Sequence, residues 1–69
     1  MERTFIIRDK SGRGVAPFMT TESYIKKYWP LFETDYNGKK LIDFLEDCEK
    51  GDSWKTDSEE IMYLNFVVN

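Results

Sequence analysis

The first nineteen residues contain two short apolar stretches separated by a glycine-containing loop. Residues 4–9 (TFIIRD) are rich in aromatic and β-branched side chains, which is typical of a strand. Residues 10–14 (KSGRG) supply two glycines where a tight loop needs positive φ. Residues 15–19 follow as the returning strand. Pro17 has no N–H to give to a ladder, so this strand is expected at a sheet edge.

A first helix is predicted after this hairpin. Thr20 or Thr21 is suited to be its N-cap, because a hydroxyl can accept a hydrogen bond from an unpaired N–H of the first turn. Pro30 disfavours helical backbone at the preceding residue and is expected to end the helix there. The apolar face at helical spacing consists of Tyr24, Ile25, Tyr28 and Trp29.

A second helix is predicted from apolar residues at positions i, i+3, i+4 and i+7. These residues are Leu41, Phe44, Leu45 and Cys48. Such a stripe is typical of a helix that packs one face on a core and leaves the other in water. Gly51 is placed to end this helix as the residue that follows the C-cap.

The last predicted strand covers residues 60–68, and residues 54–56 are a candidate for a further short strand. The even positions of the last strand are expected to face the core, and they are Met62, Leu64, Phe66 and Val68. Its odd positions are also largely apolar, which suits a strand covered on both faces or one whose outer face meets a partner. Pairing with a second copy of the chain is one hypothesis from this pattern.

Together these elements predict an α+β fold with a three-stranded, mainly antiparallel sheet and two helices packed on one face, in the order β-β-α-α-β. The first strand is expected in the centre of the sheet. With 69 residues, the chain has room for a single domain, residues 1–69. One contiguous core is predicted from Leu41, Phe44, Leu45, Met62, Leu64 and Phe66.

Composition points to a reducing compartment. Cys48 is the one cysteine, so no intrachain disulfide can form, whereas small secreted domains usually carry several. The first residues lack the apolar segment of a secretory signal, and no apolar run approaches the roughly 20 residues that span a bilayer. A cytoplasmic location without membrane association is expected.

The candidate chemistry is sparse. The chain has no histidine, which removes the commonest general base and transition-metal ligand. Cys48 lies on the apolar stripe beside Asp47 and Glu49, which would raise its pKa, so a buried and unreactive thiol is expected. The acidic residues lack the alternating loop spacing of a calcium site. No enzymatic activity, cofactor or metal site is predicted.

Charge is distributed unevenly along the chain. The net charge is −3, but residues 1–40 contain eight basic and five acidic residues, whereas residues 41–69 contain two basic and eight acidic ones. A dense negative face on the second helix could steer a basic surface of another protein. The expected partner-binding residues are Asp43, Glu46, Asp47, Glu49 and Asp52, with Trp29 and Trp54 as aromatic anchors.

These features favour a small acidic protein-binding module that inhibits or regulates another protein. Its short, acidic character with a lone cysteine resembles small accessory proteins of bacteriophages and their hosts. Some of those proteins block nucleic-acid-binding defence enzymes through acidic surfaces. The resemblance is one of general character over the whole chain and rests on no motif, so it assigns no residue roles.

The alternative is a nucleic-acid-binding module that uses the basic hairpin. Cations on the hairpin would meet phosphates while aromatic rings stack on bases. The candidate residues are Arg3, Arg8, Lys10 and Arg13, with Phe5 and Phe18. A sequence pI near 4.8 is far from the basic footprint of such proteins, so direct binding of nucleic acid is disfavoured.

Overall fold

The computed structural model of the chain describes residues 2–12, 14 and 16–68, of which 65–68 are described by their backbone only. The elements follow in the order β-β-α-α-β-β. They are β1 (Glu2–Asp9), β2 (Phe18–Thr21), α1 (Glu22–Tyr28), α2 (Leu41–Asp47), β3 (Ser53–Lys55) and β4 (Glu59–Val68). The α+β class with an antiparallel sheet and two helices is therefore confirmed.

The sheet has four strands in the order β2-β1-β4-β3, so the prediction of three strands is wrong. The additional strand is β3, which contains most of the segment marked as a candidate short strand. It pairs antiparallel with β4, with Ser53 opposite Met62 and Lys55 opposite Glu60. The central position of β1, between β2 and β4, is confirmed.

The hairpin formed by β1 and β2 differs from the prediction in its second strand. The strand begins at Phe18, directly after Pro17, and extends to Thr21 instead of covering residues 15–19. Proline lacks the N–H that a ladder needs, which explains why pairing with β1 begins after it. The edge position of β2 is confirmed. Residues 13 and 15 lie outside the described residues.

Helix α1 has the predicted ends. Thr21 is its N-cap, and the Thr21 Oγ1 accepts a hydrogen bond from the N–H of Tyr24 at 3.3 Å. Trp29 is the C-cap in extended backbone, immediately before Pro30. Ile25 is the buried residue of the helix, whereas Tyr24 and Tyr28 remain exposed. The broad apolar face is therefore only partly buried.

Helix α2 packs its predicted stripe inward. Its buried residues are Leu41, Phe44 and Leu45. Cys48 is the extended C-cap and is half-buried, which corrects the expectation of a fully buried thiol. Gly51 does not end the helix, because the helix has already ended at Asp47. Gly51 instead has φ 91° in the turn that leads to β3, a conformation that glycine adopts without strain.

The core lies between one face of the sheet and the two helices. Its buried hydrophobic residues are Phe5, Ile7, Ile25, Leu41, Phe44, Leu45, Trp54 and Ile61. Both helices and three strands contribute to this cluster. The predicted contribution of α2 is therefore confirmed.

The predicted facing of the last strand is wrong. Ile61 is fully buried and lies opposite Ile7, and Tyr63 packs against the same core, so these two odd positions of β4 face the helices. Met62 and Leu64 are half-buried, and Met62 lies opposite Ile6 on the other face. Both sets of positions are apolar, so alternation alone did not decide which set faces the core. The side chain of Phe66 lies outside the described residues.

Candidate protein-binding surface

The five predicted acidic residues lie on the outside of the molecule around α2. The inward stripe of α2 directs the residues between its members toward solvent. We call the exposed residues Asp43, Glu46, Asp47, Glu49 and Asp52 the acidic surface.

Two carboxylates of the acidic surface have partners within the chain. Lys39 Nζ lies 3.1 Å from Oδ1 of Asp47 in an exposed ion pair. Oδ2 of Asp52 accepts a hydrogen bond from the N–H of Glu49 at 2.9 Å and holds the turn that follows α2. Within the described residues, the carboxylates of Asp43, Glu46 and Glu49 have no ion-pair partner. These three charges are therefore available to a partner.

Trp54 is a core residue, so its predicted place on the partner surface is wrong. Its side chain is fully buried, and its Nε1 donates a hydrogen bond to the carbonyl oxygen of Lys39 at 2.9 Å. The indole thus fills the space between β3 and the segment that precedes α2. A buried tryptophan contributes a large apolar area to the core of so small a domain.

Trp29 lies in a different surface region from the acidic residues. Its ring centroid is 6.3 Å from that of Phe18 on β2 and 6.0 Å from that of Tyr24 on α1. Tyr24 in turn lies 4.7 Å from Tyr28. The half-buried indole donates a hydrogen bond to Oε1 of Glu59 at 3.0 Å. We call Phe18, Tyr24, Tyr28 and Trp29 the aromatic cluster.

The acidic surface and the aromatic cluster are built from different elements of the fold. Lys39 connects α2 to the β3 side, because its carbonyl oxygen binds Trp54 and its ammonium binds Asp47. Phe18 of the aromatic cluster belongs to β2, at the other edge of the sheet. Among the described residues, no hydrogen bond or ring contact joins Trp29 to the acidic surface.

Arg3 organises the junction of β1 with both helices, a role that the sequence analysis missed. Its Nε donates to Oε1 of Glu22 at 2.9 Å, and its Nη1 lies 3.4 Å from Sγ of Cys48. Its Nη2 donates to the carbonyl oxygen of Leu45 near the end of α2. A cation there neutralises the partial negative charge of helix carbonyls that lack partners.

The environment of Arg3 shifts the ionisation of its partners. The hydrogen bond from Arg3 lowers the pKa of Glu22 to about 2, with a smaller contribution from Lys26. Burial raises the pKa of the Cys48 thiol, while the charge of Arg3 opposes this and that of Asp52 reinforces it. The expected cause, repulsion by Asp47 and Glu49, is therefore replaced by burial as the main cause. From the sequence alone, Arg3 groups with the cations of the hairpin, because its partners Glu22 and Leu45 are 19 and 42 residues away along the chain.

The basic hairpin does not present the predicted platform for nucleic-acid bases. Phe5 is fully buried and cannot stack on a base. Arg3 donates a hydrogen bond to Glu22, and Lys10 donates one to the carbonyl oxygen of Thr56 at 3.2 Å. Of the predicted cations, Arg8 is exposed, and Arg13 lies outside the described residues.

Other kinds of site receive little support from the described parts of the chain. No group of three or more carboxylate or thiol side chains converges there in a way that could hold a metal ion. None of the helices there is both long and apolar enough to cross a membrane. Two surface depressions of about 380 and 410 Å³ lie beside the loop at residues 33–37. Their linings are mainly polar, unlike the largely apolar pockets that bind most small ligands.

Comparison with known proteins gives no match: no family model, no curated protein and no solved structure matches this chain.

Proposed function

We propose that the chain is a small, non-enzymatic protein-binding module whose acidic surface binds a basic surface on another protein and thereby inhibits or regulates it. The observation that carries the proposal is the set of three exposed carboxylates without ion pairs, those of Asp43, Glu46 and Glu49. Exposed like charges close together repel one another and do not stabilise the fold. A basic partner would relieve that repulsion.

The class of partner follows from the charge. Nucleic-acid-binding enzymes hold phosphates in channels lined by lysine and arginine, and a cluster of carboxylates presents a comparable negative charge. We propose such an enzyme as the partner, in keeping with the general resemblance to phage inhibitors of defence enzymes. Electrostatic attraction between the two surfaces would increase the association rate and would weaken with added salt.

Capture from an extract of the native host cells tests the proposal. The bait is the immobilised wild-type chain, compared with a variant that carries Glu46→Lys and Glu49→Lys. Glu46 lies in the last turn of α2, where a positive charge suits the helix dipole, so its reversal should not unfold the helix. Arg8→Glu together with Arg13→Glu is the control bait, because it changes the same amount of charge at the hairpin.

The expected result is a protein retained by the wild type and the control but lost by the acidic-surface variant. Duplex DNA added to the extract should release this protein, since both ligands would compete for one basic channel. Retention of the same proteins by all three baits would contradict the proposal.

A further inference from the structure

The two edges of the sheet are protected differently. At the β3 edge, the N–H of Tyr36 donates to the carbonyl oxygen of Lys55 at 3.2 Å, so a loop covers part of the strand. Lys55 also places an exposed charge on that edge. At the other edge, β2 has the sequence FMTT and contains no charged residue. In the described part of the chain, its backbone pairs with β1 and with no other strand or loop.

An uncharged and uncovered edge strand is a template for pairing with another strand. Folded proteins usually block such edges with charges, bulges or covering loops, as this chain does at β3. β2 is short and follows Pro17, but it carries no charge and no described loop covers it, so its outer backbone groups remain open to a strand partner.

Apolar side chains approach the β2 edge on both faces of the sheet. On the face away from the helices, Met19 lies opposite Ile6, and Ile6 lies opposite Met62. This apolar row crosses three strands and ends at Met19, whose side chain is 53% exposed. On the helix side, Phe18 is 41% exposed and contacts Trp29 in the aromatic cluster.

We propose that a second copy of this chain pairs with β2 in antiparallel orientation, which joins the two four-stranded sheets into one sheet of eight strands. A twofold axis perpendicular to the sheet keeps the helices of both copies on the same side. Residues directly opposite in an antiparallel pair lie on the same face. Among the registers that satisfy this condition, the one that extends the apolar row places Met19 opposite the partner's Met19 and Phe18 opposite the partner's Thr20.

The register makes the surface complementary to itself, which favours a second copy over an unrelated strand. The apolar row formed by Met62, Ile6 and Met19 continues directly into the same three residues of the partner. No charged residue of β2 meets a like charge, because the strand has none. The contact is isologous and closed, so it gives a dimer and not a fibre. This inference does not depend on the acidic surface.

The mass of the chain in solution tests the proposal. Light scattering after size exclusion, under reducing conditions, should give twice the 8.2 kDa chain mass at high concentration, falling on dilution. Met19→Lys should give 8.2 kDa throughout, because it places two positive charges at the twofold axis. Phe32→Lys is the matched control: Phe32 is 75% exposed and outside β2, so this variant should remain a dimer.

Cross-linking tests the register independently of whether Met19→Lys folds normally. Opposite Cα atoms in an antiparallel pair are about 4.5–5.5 Å apart, which lies within the range that a disulfide spans. Met19→Cys in a Cys48→Ser background should therefore form a covalent dimer on mild oxidation, whereas Lys55→Cys on the β3 edge should remain largely monomeric. A wild-type mass of 8.2 kDa at every concentration, or equal cross-linking from both edges, would overturn the proposal.

Discussion

Nε of Arg3 lies 2.9 Å from Oε1 of Glu22, which joins the first strand of the sheet to the first turn of α1. The two side chains are only 26% and 22% exposed. Water therefore screens this ion pair less than the other ion pairs at the surface. Because Arg3 also donates to the carbonyl oxygen of Leu45, the pair fixes both helices on the sheet.

The stability of the fold should fall at acid pH because of Glu22. Its pKa is 4.5 when unpaired and about 2 in the folded chain, so the unfolded chain binds a proton more readily. The stabilisation is complete above about pH 4.5 and is lost as the pH falls toward 2. After allowance for partial exposure, we expect a contribution of about 1–2 kcal/mol to the free energy of unfolding.

Urea unfolding of wild type and Glu22→Gln from pH 7 to pH 2 measures this contribution. The two unfolding free energies should differ at pH 7 and converge at the acid end. Glu46→Gln is the control, since it removes an exposed carboxylate without an ion pair, and its difference from wild type should stay small. A constant difference between wild type and Glu22→Gln at every pH would contradict the assignment.

Phe44 should be a major contributor to stability. It is 4% exposed, and its ring packs edge-on at 6.3 Å from that of Phe5. Phe44→Ala should lower the free energy of unfolding by about 3–5 kcal/mol, a large share for so small a domain. Phe32→Ala, at a 75% exposed position, should change it by less than about 0.5 kcal/mol. Equal melting temperatures for Phe44→Ala and wild type would show that α2 does not pack on the sheet as described.

The two tryptophans should differ in fluorescence. Trp54 is fully buried, whereas Trp29 is half-buried in the aromatic cluster. The Trp29→Phe variant retains only Trp54. Its fluorescence should have a shorter emission wavelength than that of the wild type and should be less quenched by acrylamide. Strong quenching of this variant in its folded state would mean that Trp54 is not in the core.

Cys48 should react slowly at neutral pH in the folded chain. Burial raises the pKa of its thiol, which lowers the fraction of reactive thiolate. Alkylation of Cys48 should be several-fold slower in native buffer than in urea, where the rate in the unfolded chain serves as the reference. Equal rates in the two conditions would contradict the described environment.

The sequence predicted those elements whose signals are local. The spacing of Leu41, Phe44 and Leu45 identified the buried face of α2, and Thr21 and Pro30 marked the ends of α1. Each of these features depends on residues within a few positions of one another. Local capping and helical periodicity are therefore recovered in the structure.

Features that depend on distant contacts were missed or identified only as candidates. Strand β3 has three residues and one buried side chain, Trp54, so it is too short to show an alternation of apolar and polar residues. The facing of β4 depends on its register with β1, since both its faces are apolar. Arg3 joins β1 to both helices only after folding brings Glu22 and Leu45 next to it. The exposure of the acidic surface followed from the α2 stripe, whereas the contacts of Trp29 with Phe18 and Glu59 depend on how the strands pair.

We propose that the acidic surface binds a basic protein partner. The most direct test is the association rate of the purified captured protein with the wild-type chain and with the two charge-reversal variants, at low and high salt. Glu46→Lys with Glu49→Lys should slow association at low salt by about tenfold or more and weaken its salt dependence, while Arg8→Glu with Arg13→Glu should associate at least as fast as wild type. Unchanged association of the acidic-surface variant would contradict the proposed role of this surface. Binding of nucleic acid by the wild type that is lost with Arg8→Glu and Arg13→Glu would instead place function on the hairpin.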